Sequence, residues 1–274
     1  MHKIRIELVF EEGENLNKIL VFGEFNFITL SLCKRLVEKE FEVISVKIGS
    51  EIRTEADNMI MEIGRNSFFN FKKMESFEQL KSEKEVTAAF VFPQKDMIED
   101  VYQNIKEMSQ LYRFVYIIQR EAIDEFKWLK AIESLENVTV IQLNEVFGPW
   151  QSENDTIQRV IFNKIKGKKE TNGENDKLVV KDYLYVEDVT SILLSLLEKN
   201  EPIPHRVLNV TNPNENVSAE LAEELSLKLI NECSYSAKRQ GVSVWDYVDI
   251  KPTYTIKKAL NEHILHSKMR MKKS

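Results

Sequence analysis

The stretch Lys18–Lys47, KILVFGEFNFITLSLCKRLVEKEFEVISVK, constrains the chain more than any other. It opens with a short apolar run, Lys18 to Phe22, of the kind that forms a strand covered on both faces. After the turn at Gly23, apolar residues recur at Leu30, Cys33, Leu36 and Val37. That is the 3.6-residue period of a helix laid on a sheet. Phe41 to Ile48 then reads as a second strand. Parallel strands joined by a helix require a right-handed crossover, hence a parallel sheet with helices packed on it.

The alternation continues downstream. Ala56 to Ile63 is predicted helical, Ser67 to Phe71 a short strand, and Glu75 to Lys81 a helix. Val86 to Phe92 and Phe114 to Ile118 read as buried strands flanking a helix over Lys95 to Leu111. Asp124 to Leu135 is predicted helical and Val138 to Leu143 a strand. Past Gly148-Pro149 the signals are shorter. Helices are expected over 157–166, 186–197 and 218–229, and strands over 177–180 and 207–210. Residues 3–10, KIRIELVF, alternate as a strand would and are expected to add to the sheet. The expected fold is α/β, a Rossmann-type doubly wound parallel sheet. Its expected parts are an N-terminal strand extension (1–17), the main sheet domain (18–150), and a small C-terminal α/β lobe (151–274) interleaved with the sheet.

Bulk properties narrow the function. A formal charge of −6 argues against a dedicated nucleic-acid binder. The basic end, Lys268 to Lys273, is too short to change that and is expected to be a solvated tail. No apolar run is long enough for a membrane span, and the acidic N-terminus does not resemble a signal peptide. The expected location is cytoplasmic. Cys33 and Cys233 are expected to be buried thiols. The four histidines show no metal spacing, and His263 and His266 are expected on a surface face. No G-x-S-x-G elbow is present. Glycine is scarce, at 8 of 274 residues.

Several segments, in order, are similar to the extended short-chain dehydrogenase/reductase family, the NAD-dependent epimerases and dehydratases. They are the opening unit 18–47, VTVIQLNEVFGPWQ at 138–151, KDYLYVEDV at 181–189 and HRVLNVTNPNENVSAE at 205–220. The resemblance implies a ligand cleft at the carboxyl ends of the strands. NAD or NADP would be the cofactor, beside a small nucleotide ligand, and helix 124–135 would be a homodimer contact.

The same resemblance marks what has changed. The family's Gly-x-x-Gly-x-x-Gly falls on Gly23, Asn26 and Thr29, so only the first glycine survives. The expected cofactor-binding residues are Gly23, Asn26, Phe27, Ile28 and Lys47. Asn26 is expected to supply a left-handed backbone in place of glycine, and Glu24 adds a carboxylate beside the expected pyrophosphate. Lys47 replaces the acid that would bind the ribose and favours NADP over NAD. Two readings stand for this turn, a weakened nucleotide site or a strand-to-helix turn with no nucleotide. In the family's Tyr-x-x-x-Lys, Phe126 stands at the tyrosine and Lys130 at the lysine, so Lys130 is the one catalytic candidate left. Ile118 and Gln119 occupy the hydroxyl positions. Gln142 replaces an arginine, Glu145 an asparagine and Lys181 an arginine, while Asp182 and Asp188 remain. The expected function is a divergent, catalytically impaired epimerase/dehydratase-like protein, a binding or interaction module. The alternative is an active enzyme with substituted groups, its phenol supplied by Tyr112 or Tyr116.

Overall fold

The structure, a computed structural model, describes residues 18–48, 54–93, 97–120, 130–132, 134–167, 177–199, 207–230 and 246–273. Eight parallel strands form the main sheet: β1 (Lys18–Gly23), β2 (Glu42–Ile48), β3 (Phe69–Met74), β4 (Ala88–Phe92), β5 (Phe114–Gln119), β6 (Val138–Leu143), β10 (Val207–Thr211) and β12 (Asp246–Asp249). Their order across the sheet is β12-β10-β6-β5-β4-β1-β2-β3. The chain winds outward from β1 to β3, then returns to the other side of β1 as β4. The crevice beyond the carboxyl ends of β1 and β4 is therefore a topological switch point, where open α/β sheets bind ligands.

Seven helices are described: α1 (Phe27–Glu38), α2 (Thr54–Ile63), α3 (Ile98–Leu111), α4 (Thr156–Ile165), α5 (Val186–Glu198), α6 (Val217–Leu225) and α7 (Ile256–Lys273). Strand side chains alternate between two cores. Ile19, Val21, Phe90 and Tyr116 face α1 and α5, through Leu36 and Leu193 among others. Leu20, Ile44, Val115 and Ile117 face α3, through Val101, Ile105 and Met108. Both faces of the central strands are thus dry, which explains their continuous apolar runs. The expected doubly wound parallel sheet is what the structure has.

Some local expectations change. Residues 77–82 form a 3-10 turn where a helix was expected. The helix expected over 218–229 stops at Leu225, because Ser226 turns left-handed (φ 55°) and Leu227 N–H closes back on the Ala222 carbonyl at 2.7 Å. Residues 228–230 then form β11, which pairs with β8 (Lys177–Val179). Two short strands, β7 (Glu145–Phe147) and β9 (Tyr183–Tyr185), also pair in parallel. The basic end is no loose tail: it completes α7, and Arg270 reaches Glu55 of α2 at 3.7 Å. His263 lies on the packed face of α7, not on its surface. Ala259, His263 and Ser267, four residues apart, are all turned inward. His263 Nε2 meets Gln158 Oε1 of α4 at 2.5 Å, and Gln158 donates to Ser267 at 3.1 Å. Burial, with His266 and Arg270 nearby, pushes the His263 pKa down to about 3. Cys33 is buried and unbridged, as expected. The strand expected over 3–10 and Cys233 lie outside the described residues. Among the described residues no helix is long and apolar enough to cross a membrane.

Candidate functional site

The turn between β1 and α1 is fixed first by Gly23. Its φ is +116°, and a Cβ there would lie 2.1 Å from the Phe92 carbonyl oxygen. Glu24 N–H donates to that same oxygen at 3.0 Å. The turn is therefore clamped to the end of β4, and no side chain fits at Gly23.

Asn26 does not take the expected left-handed conformation. Its φ of −124° and ψ of −173° are extended, because it is the N-cap of α1. Its Oδ1 accepts from Ile28 N–H at 2.9 Å and Thr29 N–H at 3.2 Å. Thr29 Oγ1 accepts from Asn26 N–H at 2.6 Å and donates to the Asn26 carbonyl at 2.7 Å. Two side chains thus occupy three of the amide groups that a helix start offers to an anion, those of Asn26, Ile28 and Thr29. Glu24 completes the closure, its carboxylate accepting from Asn26 Nδ2 at 3.3 Å. Phe27 and Ile28 are buried in the core, and the Arg120 guanidinium lies over the Phe27 ring at 5.7 Å. Phe25, inside the turn, is also buried, against Phe69 and Phe71 of β3. Lys47, one residue before the end of β2, is half-buried beside Lys73 in the pairing register.

The catalytic positions are only partly in view. Phe126 lies outside the described residues. Lys130 is helical and exposed. Tyr116 cannot serve as the missing phenol: it is buried mid-strand, stacks on Phe90 and donates to the Leu196 carbonyl at 3.2 Å, and burial raises its pKa. Tyr112 precedes β5, at the amino edge of the sheet and so away from the cleft; burial and Glu83 push its pKa up to about 12.

Around β7 and β9 the altered residues satisfy one another. Glu145 and Lys181 pair at 2.5 Å. Asp182 accepts from Asn212 N–H at 3.0 Å and from Asn144 Nδ2 at 2.9 Å, tying three loops together. Asp188 accepts from Thr253 N–H at 2.8 Å, and burial raises its pKa. Gly148 keeps its turn (φ +154°) because a Cβ would lie 2.4 Å from Val186 Cγ1.

Sequence reasoning treated Gln119 and Gln142 only as losses. The structure sets them side by side, in register at the carboxyl ends of β5 and β6, with Asn209 of β10 next in line. FVYIIQ carries its glutamine at the last position and VTVIQL at the fifth, and only the strand register sets them side by side. Among the described residues no cluster of three or more His, Cys, Asp or Glu side chains suits a metal ion.

No protein-family model matches the chain, and no curated protein matches it in sequence. Solved structures do match in shape. The dTDP-glucose 4,6-dehydratase from Bacillus anthracis, solved with NAD, superposes with a TM-score of 0.67 at 16% identity over 93% of this chain and 98% of the other. The chain has the epimerase/dehydratase fold. The UDP-glucose 4-epimerase of Thermotoga maritima, solved with UDP-glucose, has that fold too, with a TM-score of 0.59 and 15% identity over 93% of this chain and 99% of the epimerase. A yeast methylglyoxal/isovaleraldehyde reductase complexed with NADPH matches with a TM-score of 0.59 and 12% identity, over 94% of this chain and 100% of the reductase. The resemblance read in the sequence is thus carried by the fold. Within the epimerase/dehydratase fold the residues at the α1 turn fit a pyrophosphate poorly, since their own side chains fill its amide donors.

Proposed function

We propose that the chain is a divergent, catalytically impaired epimerase/dehydratase-fold protein that acts as a binding or interaction module. One observation carries this reading. The start of α1 is a closed capping box made by Asn26 and Thr29, with the Glu24 carboxylate on top. An anion arriving there would have to displace two side chains and face a like charge. NAD or NADP, which the fold neighbours hold, is then a weak ligand for this chain, with Lys47 favouring NADP. Phe126 at the tyrosine position carries no group that transfers a proton, and Lys130 lies exposed on its helix. A homodimer through the helix that includes Lys130 fits the same reading.

The test is turnover. The purified chain is incubated with NAD or NADP and a panel of nucleotide sugars, and products are read by mass. No product is expected, and calorimetry should show millimolar or weaker affinity for either dinucleotide. Conversion of any sugar above a heat-killed control would replace this reading with that of an active enzyme with substituted groups.

A further inference from the structure

The carboxyl ends of β5 and β6, with the middle of β10, carry an amide row that packing does not explain. Gln119 lies two residues after Ile117, Gln142 two after Val140, and Asn209 two after Val207. Ile117, Val140 and Val207 belong to the same core face, so all three amides point to that side of the sheet. Gln119 is in register with Gln142, and Gln142 with Asn209. Adjacent strands lie ~4.8 Å apart, so neighbouring amides are within one small group's width of each other. Exposure rises along the row: Gln119 is 3% exposed, whereas Gln142 and Asn209 are partly open.

Among the described residues Gln119 Nε2 and Gln142 Oε1 are buried without a partner. Tyr112 Oη, Gln151 Oε1 and His263 Nδ1 are buried in the same way, but the two glutamines are neighbours in strand register and leave a donor and an acceptor unmade side by side. The Gln142 amide is not free to flip, because its Nε2 donates to the Leu143 carbonyl at 3.0 Å. It therefore presents an acceptor, and Gln119 beside it presents a donor. Leaving a buried donor and a buried acceptor unmade costs free energy that two apolar side chains would not. Ile and Val fill the equivalent inward positions one step earlier on each strand.

We propose that Gln119 and Gln142 form a subsite for a neutral ligand bearing an amide edge, a carbonyl beside an N–H. The ligand carbonyl accepts from Gln119 Nε2 and its N–H donates to Gln142 Oε1. Asn209 marks the open end through which it enters. The proposal rests on the reading of the chain as a binding module, and it places the retained recognition at β5–β6, away from the closed turn at α1. Neutrality follows from the row itself, since an ionised carboxylate or ammonium would leave either Gln142 or Gln119 facing the wrong partner.

The probe is benzamide, with N,N-dimethylbenzamide as the control that keeps the carbonyl and loses both N–H groups. Binding to the full chain is read by saturation-transfer NMR and thermal shift, at millimolar ligand. Benzamide is expected to bind at least about tenfold more tightly than the dimethyl control, and the Q142L and Q119L chains should each lose that preference. Absent benzamide binding, or equal binding of the two amides by the wild-type chain, overturns the proposal without needing any variant. Variants that fold and keep the preference overturn it as well. Enzymatic turnover of a nucleotide sugar would defeat the module reading but not the amide subsite, so the two failures are separable.

Discussion

The start of α1 and the ends of β5 and β6 lie at the same carboxyl edge of one sheet, yet their polar groups are treated in opposite ways. At α1 the amides of Asn26, Ile28 and Thr29 are all taken by Asn26 and Thr29 themselves. At β5–β6 a donor on Gln119 and an acceptor on Gln142 are buried with no described partner. Desolvation penalties apply equally to both places. One place satisfies its own polar groups, and the other leaves two buried ones unmade. The closed turn serves helix stability, and the amide row is the subsite proposed for a ligand.

The largest effect tests how the closed turn is anchored. In the Gly23→Ala chain the new Cβ meets the Phe92 carbonyl at 2.1 Å, in a backbone with φ +116°. Urea unfolding should report a loss of roughly 3 kcal/mol or more, the combined cost of strain and displacement. A loss under about 1 kcal/mol would mean that the turn yields easily and that its closure constrains little.

A second buried polar cluster, in which His263 is bonded through Nε2 alone, supplies a contrast that titrates. His263 is held neutral with a pKa of about 3, below the ~6.5 of an unfolded histidine. Between those values the unfolded chain binds a proton that the folded chain does not. Stability is therefore full above about pH 6.5 and falls as pH drops through that window. From pH 6.5 to pH 5 the His263 share of the loss is about 1.7 kcal/mol, the slope rising toward about 1.4 kcal/mol per pH unit as the unfolded histidine becomes fully protonated. Denaturation midpoints of the wild-type chain and a His263→Gln chain at both pH values isolate it. Parallel declines in the two would assign the acid sensitivity to other groups.

Restoring glycine sharpens the comparison directly. Asn26→Gly with Thr29→Gly removes the capping box and should cost about 1 kcal/mol of stability or less, because glycine is itself a tolerated N-cap. With Glu24→Ala added, the freed amides and the positive helix end should raise NADP affinity at least about tenfold, near 1.4 kcal/mol. Isothermal titration of the triple variant decides the matter. Unchanged affinity would show that the cap is not what closes the site.

How far these regions were legible beforehand follows from what each depends on. The parallel sheet could be read because burial on both faces forces apolar runs such as VTAAFVF at 86–92, and the helices between them keep a 3.6-residue period. The altered turn could also be read, since Asn26 and Thr29 stand where glycines were expected. Their conformation could not: the same asparagine suits a left-handed residue or an N-cap, and only the reciprocal bond with Thr29 selects the cap. His263 was misplaced because a basic, polar stretch hides a narrow inward stripe of Ala259, His263 and Ser267. The Gln119–Gln142 pairing depends on the register of strands ~20 residues apart, which a local pattern does not encode.

The smallest effect bears most directly on the open side of the comparison. Replacing both Gln119 and Gln142 by leucine removes two unmade hydrogen-bonding groups and keeps a side chain of similar length. If the glutamines serve only a ligand, the unliganded chain should be unchanged or stabilised, by up to about 1 kcal/mol. Urea unfolding without ligand measures this on its own, with no assumption about what binds. A loss of roughly 2 kcal/mol or more would show that the amides support the fold. In that case the two ends of the sheet would no longer differ in kind, and the α1 turn and the amide row would both be structural.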